Sequence, residues 1–192
     1  PGACYIQASI ADEAQCQRLI AATIERCGRL DILINNAGTT QVIPHADLDA
    51  VTDEIFRRIL DTNLLGTWYM TRAALPHLRQ SPSAVVVNVT SLAGLRPTGS
   101  SIPYAVSKAA INHLTHLLAR VCGPVRINAV APGLVQTPWT QDWGPLHEHV
   151  ARQAPLGRSA SAADIADAIY GVVISRYMTG EIVLVDGGLS LA

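Results

Sequence analysis

Tyr104 and Lys108 stand four residues apart at the head of a stretch whose apolar spacing predicts a helix from about Tyr104 to Val121. Helical geometry brings side chains at that spacing to one face. A phenol is a poor acid or base at neutral pH, since its ordinary pKa is about 10. An ammonium beside it favours the phenolate and lowers that value, which suits the pair to general acid–base chemistry. Of the fourteen basic residues thirteen are arginine, and the single lysine falls here, where a point charge rather than a guanidinium fork is wanted. Ser91 stands thirteen residues before Tyr104, with Gly94 and Gly99 between them, and its hydroxyl could bond the oxygen that Tyr104 protonates. A serine satisfying a loop carbonyl is the alternative.

The elements that must position these groups alternate along the chain. Cys4–Ala8 reads as a strand. Asp12–Cys27 reads as a helix stopped by Gly28, and Ile32–Ile34 as a continuous apolar strand before the turn-like Asn35-Asn36-Ala37-Gly38. A helix is expected from about Asp53 to Leu78, a buried strand over Ala84–Val89, a further strand over Val125–Val130, and a last strand over Ile182–Val185. Leu134–Arg158 reads as loop-rich. Ser161 N-caps a helix from Ala162, and Asp164 completes a capping-box pattern. Strands separated by helices of this length predict an α/β fold, a parallel sheet covered on both faces. Ligands of such folds bind beyond the carboxyl ends of the strands, here the loops after Ile34, Val89 and Val130.

Composition narrows the class. The chain has 192 residues, 49% of them hydrophobic, with a formal net charge of −1. That size suits one domain. There is no basic stripe for nucleic acid and no apolar window long enough for a bilayer. Cys4, Cys16, Cys27 and Cys122 form no C-x-x-C pair, and the expectation is reduced thiols in a cytoplasmic protein. His113 and His116 lie three apart on the Tyr104 helix but lack a third ligand at suitable spacing, so no metal is expected.

The order of these motifs resembles the single-domain branch of the short-chain dehydrogenase/reductase family, over essentially the whole chain, with similarity to its 3-oxoacyl-(acyl carrier protein) reductase-like members. The motifs are Asn35-Asn36-Ala37-Gly38, Asn63 within Asp61-Thr62-Asn63-Leu64-Leu65-Gly66, Asn88-Val89-Thr90-Ser91, Tyr104-Ala105-Val106-Ser107-Lys108, Arg126 to Gly133 and Val185-Asp186-Gly187-Gly188. The resemblance implies a Rossmann-like three-layer fold with a mainly parallel sheet. It also implies NAD or NADP as cofactor, a small-molecule ketone or secondary alcohol as substrate, and a homo-oligomer, dimer or tetramer. Position by position, it implies that Tyr104 exchanges a proton with the substrate oxygen and that Lys108 lowers the pKa of Tyr104 and bonds the nicotinamide ribose. Ser91 would hold the substrate oxygen and Asn63 would anchor a water in a proton relay. Asn36, Ala37 and Gly38 would pass beside the adenosine half, and Pro132, Gly133, Val135 and Thr137 would meet the nicotinamide.

Two departures qualify the resemblance. No Gly-x-x-x-Gly-x-Gly precedes Asn35, so the N-terminal βαβ unit that cradles the pyrophosphate is absent from this sequence. Cys4–Ala8 would then lack its partner, and the sheet would expose an apolar edge beside Ile32–Ile34. The second departure is Ser9-Ile10, where the family commonly has an acidic or amide residue that reaches the adenine. Ser9 should make a weaker contact there, with Ile10 still usable. Leu95, Ile102, Trp139 and Trp143 are the expected pocket wall, and Arg96 reads as a solvated loop residue. Two rival readings stay open: a non-catalytic binding or scaffold subunit, and an isomerase or dehydratase using the same tyrosine and lysine.

Overall fold

The computed structural model describes residues 2–191. Four strands form one all-parallel sheet in the order β1-β2-β3-β6: β1 (Ile32–Asn35), β2 (Val85–Val89), β3 (Arg126–Pro132) and β6 (Ile182–Val185). In register, Ile34 lies beside Val87, Val87 beside Asn128, and Val130 beside Val183. A short parallel pair, β4 (Val135–Gln136) and β5 (Ala160–Ser161), stands apart from it.

Side chains along β2 alternate between two cores, as the period of a strand requires. Val86 packs with Cys16, Ile20, Leu33, Met70, Ala74, Leu118 and Ile127 on one side. Val85 and Val87 pack with Val130, Ile165 and Val172 on the other. The first core is covered by α1 (Glu13–Cys27), α3 (Gly66–Leu78) and α4 (Ile102–Val121), the second by α6 (Ala162–Ile174). This is the three-layer arrangement that continuous apolar strands demand.

Helix ends follow the local chemistry. Asp12 caps α1 by accepting from the Gln15 amide at 3.1 Å, and Gly28 ends it in the left-handed region at φ 74°. Ser161 and Asp164 form the expected reciprocal capping box on α6.

Three expectations are corrected. Cys4–Ala8 is not a strand: it has no ladder partner among the described residues, and a strand is defined by its neighbour rather than by its own residues. The Asp53–Leu78 helix is interrupted, running as α2 (Asp53–Leu60), a π-helical turn (Asp61–Leu65) and α3. Within the loop-rich Leu134–Arg158 segment lies a further helix, α5 (Gly144–Gln153), which begins at Gly144-Pro145, a pair that reads as a turn but here places proline in the first helical turn.

Candidate active site

β2 delivers Ser91 to the carboxyl edge of the sheet. The ladder continues past the strand, with the Thr90 amide donating to the Val130 carbonyl at 2.8 Å. Ser91 then opens a short 3-10 turn (Leu92–Gly94), its hydroxyl accepting from the Ala93 amide at 3.1 Å. That turn lies flat against α4. A Cβ built on Gly94 would stand 2.7 Å from the Lys108 carbonyl carbon and 2.9 Å from the Ala109 nitrogen, so only glycine permits the approach. Asn112 fixes the contact by donating to the Gly94 carbonyl at 3.1 Å. The loop bearing Ser91 and the helix bearing Tyr104 are thus held as one unit.

α4 starts at Ile102, two residues before the sequence places it, so Tyr104 and Lys108 occupy its first two turns. Both face the cleft that Ser91 enters. The Lys108 ammonium lies 5.6 Å from the Tyr104 ring centroid and donates to the Val89 carbonyl at 2.9 Å. Lys108 is buried, and loss of hydration lowers its pKa from 10.5 to about 8. Burial pushes the Tyr104 phenol above its ordinary value, with Ser91 beside it pulling the other way. The net displacement of the phenol is upward, set by burial and not by the neighbouring ammonium. Desolvation is the largest influence on the phenol, while the ammonium gives one of its protons to the Val89 carbonyl. Near neutral pH the phenol is consequently protonated.

Asn63 sits in the π-helical turn and is fully buried. Its amide accepts from the Thr39 nitrogen at 2.8 Å and donates to the Thr39 carbonyl at 3.0 Å and the Ser107 hydroxyl at 2.9 Å. Ser107 in turn donates to the Tyr104 carbonyl at 2.7 Å. The side chain is thus fully engaged in bracing the loop after β1 against the first turn of α4. The π-turn's extra residue explains the placement: it rotates Asn63 out of the regular helical ladder and into this seam.

Ser91, Tyr104 and Lys108 open into a cavity of about 1040 Å³. Asn36, Gly38, Pro132, Gly133, Val135 and Thr137 line it, and so do Trp139 and Trp143. Trp139 meets Tyr104 edge to face, with ring centroids 6.5 Å apart. Leu95 and Ile102 do not line it; Leu95 turns outward at the end of the 3-10 turn and is 38% exposed. Val42, Ile43, Pro44 and His45 do line it, a wall that sequence reading missed although an apolar pair before a proline marks the segment. Ala37, Ser9 and Ile10 lie outside the lining. Ser9 donates its amide to the Gln15 side chain at 2.9 Å, and Ile10 packs against Gly66, where a Cβ would meet its side chain at 2.8 Å.

Two features suit this cleft to a ribose-bearing nicotinamide group. An ammonium has three donors, and Lys108 uses one of them on Val89. Gly38 presents bare backbone beside it: a Cβ there would stand 3.3 Å from Asn63 Oδ1 and 3.7 Å from Lys108 Nζ. Among the described residues no group of three or more His, Cys, Asp or Glu side chains could hold a metal, and no helix is long and apolar enough to cross a membrane.

Comparison with known proteins agrees with this geometry. A family model described as enoyl-(acyl carrier protein) reductase matches residues 1–190. The chain is 52% identical over 195 residues to a Streptomyces violaceoruber protein named as ketoacyl reductase 2 of the granaticin polyketide synthase, covering all of this chain and 78% of that protein. Among solved structures, one titled as a short-chain dehydrogenase/reductase from Burkholderia xenovorans superposes with a TM-score of 0.90 at 42% identity, covering 96% of this chain and 75% of that one. The structure titled ElxO with NADP bound gives a TM-score of 0.90 at 29% identity, covering 98% and 79%. The chain belongs to the short-chain dehydrogenase/reductase family of oxidoreductases.

Proposed function

We propose that this chain reduces a ketone to a secondary alcohol, reversibly, at the expense of NADH or NADPH, with Tyr104 as the general acid. The observation that carries the reading is the convergence of Ser91, Tyr104 and Lys108 on one cavity of about 1040 Å³. The similarity to a protein named as a ketoacyl reductase and to a structure titled with NADP bound supports it.

A nicotinamide dinucleotide, when bound, supplies the hydride that adds to the carbonyl carbon. Lys108, with two ammonium protons unspent on protein, would bond the ribose. Gly38, expected beside the adenosine half, lies next to Lys108 and would instead pass its backbone beside the same ribose, while Val135 and Thr137 would face the nicotinamide. Ser91 would donate to the ketone oxygen and fix it beside Tyr104. Tyr104 would then pass its phenolic proton to that oxygen as negative charge develops there. Its raised pKa keeps the phenol protonated for this direction. The apolar walls exclude water, so neighbouring charges act more strongly than they would in bulk solvent.

Oligomerisation through α4 accompanies this proposal. Val106, Leu117 and Val121 on that helix are 44%, 52% and 69% exposed, and covering them against a second copy would remove apolar area from water. Light scattering of the purified protein would report the assembly.

The deciding assay follows oxidation of NADPH and of NADH in the presence of ethyl 3-oxooctanoate. Ketone-dependent oxidation of either cofactor, lost in Tyr104→Phe, supports the reading. Saturable cofactor binding with no turnover of any ketone or alcohol tried would move the assignment to a binding subunit.

A further inference from the structure

One wall of the cavity comes from α5, which contributes Leu146 and Val150, with Trp143 at its N-cap. This helix has little apolar surface to hold it there. It is ten residues long and Val150 is its one buried residue, and helices so short are marginal unless packing supports them. Polar contacts must therefore set where that wall stands.

His147 lies in the same helix but does not line the cavity. Both of its ring nitrogens are engaged. Nε2 donates to the Thr140 carbonyl at 3.1 Å, and Nδ1 meets the Ser159 hydroxyl at 2.9 Å. A carbonyl only accepts, which fixes a proton on Nε2. A hydroxyl both donates and accepts, so Ser159 pairs with Nδ1 in either charge state of the ring.

Both partners are buried, Ser159 at 4% and Thr140 at 8% exposure, and both lead to β4. Thr140 ends the 3-10 turn Pro138–Thr140 that carries Trp139. Its hydroxyl donates to the Val135 carbonyl at 2.6 Å and accepts from the Thr137 amide at 3.2 Å. Ser159 immediately precedes β5, whose Ala160 stands beside Val135 and donates its amide to the Leu134 carbonyl at 3.0 Å. The imidazole thus fastens α5 to β4 by two routes, from behind the wall.

We infer that His147 is a positioning residue that fixes the apolar wall of Trp143, Leu146 and Val150 against the segment Val135–Thr137, and so sets the selectivity of the cavity for the apolar tail of the ketone. The reacting oxygen is held elsewhere, by Ser91 and Tyr104. Loosening α5 therefore weakens recognition of the tail and spares the chemical step. The inference rests on the ketone-reducing reading of the cavity.

The test compares ethyl 3-oxooctanoate with ethyl 3-oxobutanoate, which share their reacting groups and differ by four methylenes. The wild type should favour the longer ester in kcat/KM by at least about tenfold, since even one methylene in an apolar pocket can be worth that much. In His147→Ala the preference should fall by about tenfold, through the KM of the longer ester, while kcat for the shorter stays within about threefold of wild type. His147→Gln places an amide where Nε2 stands, keeps the bond to Thr140 and should recover the preference. His147→Asn reaches only Ser159 and should not, and it makes the same comparison should His147→Ala fail to fold. An equal loss on both esters leaves the ratio unchanged and overturns the role of His147, because a residue that only stabilised the fold would act in that way. An asparagine variant as selective as the glutamine variant overturns it too. A wild type that reduces both esters without preferring the longer overturns the inference alone. Reduction of neither ester by the wild type overturns the reductase reading and this inference with it.

Discussion

The Lys108 ammonium is bonded to the carbonyl of Val89, 2.9 Å away and two residues before Ser91. One hydrogen bond therefore joins the helix of the acid–base pair to the strand that delivers the serine. The same ammonium is buried on an apolar frame, and several consequences of that placement can be measured.

Burial holds the Lys108 pKa at about 8 in the folded chain, against an ordinary 10.5. Below pH 8 the group is charged in both states, and holding that charge in the fold costs on the order of 3 kcal/mol at about 1.4 kcal/mol per pKa unit. Between about pH 8 and 10.5 the unfolded chain binds more protons than the folded one, so stability from this group rises with pH. Lys108→Met should raise Tm at pH 7, by less as pH approaches 10, while abolishing turnover. A variant less stable than wild type at pH 7, or a gain that grows with pH, would contradict this account of the buried charge.

Tyr104→Phe removes the proton donor and little volume. Ketone reduction should fall by at least about 100-fold, the lower end of what a positioned acid contributes, while NADPH affinity stays within a few-fold of wild type. Steady-state kinetics beside calorimetric titration separate the two effects. Retained turnover would transfer the acid role elsewhere.

Asn63→Ala deletes an amide that serves the Thr39 backbone twice and Ser107 once. Leaving those buried groups unpaired should destabilise the fold by about 2–4 kcal/mol, seen as a lower midpoint in urea at unchanged slope. If the side chain served chiefly to hold a water, stability would change little.

Gly94→Ala would drive a methyl group to within 2.7 Å of the α4 backbone. Backbone cannot rotate away as a side chain can, so the Ser91 turn must lift from the helix. We expect about 1–3 kcal/mol of destabilisation together with a larger fall in kcat than in cofactor affinity. A variant with full activity would show that the contact does not set the spacing of Ser91 and Tyr104.

Much of this was legible in the linear sequence because the signals are local. Helical spacing alone places Tyr104 and Lys108 on one face. The apolar run Val85–Val89 requires burial on both sides, and Asp12, Gly28 and the Ser161/Asp164 pair terminate helices through bonds spanning a few residues. What the sequence could not show depends on neighbours distant along the chain. Cys4–Ala8 has strand composition but no ladder partner among the described residues, and a ladder needs two chains of hydrogen-bonding groups. Asn63 was visible as a motif residue, yet the π-turn that aims it and the Thr39 and Ser107 atoms that engage it appear only on packing. The direction of the Tyr104 pKa shift was likewise decided by tertiary structure, since spacing shows that a lysine is near but not how much water burial removes.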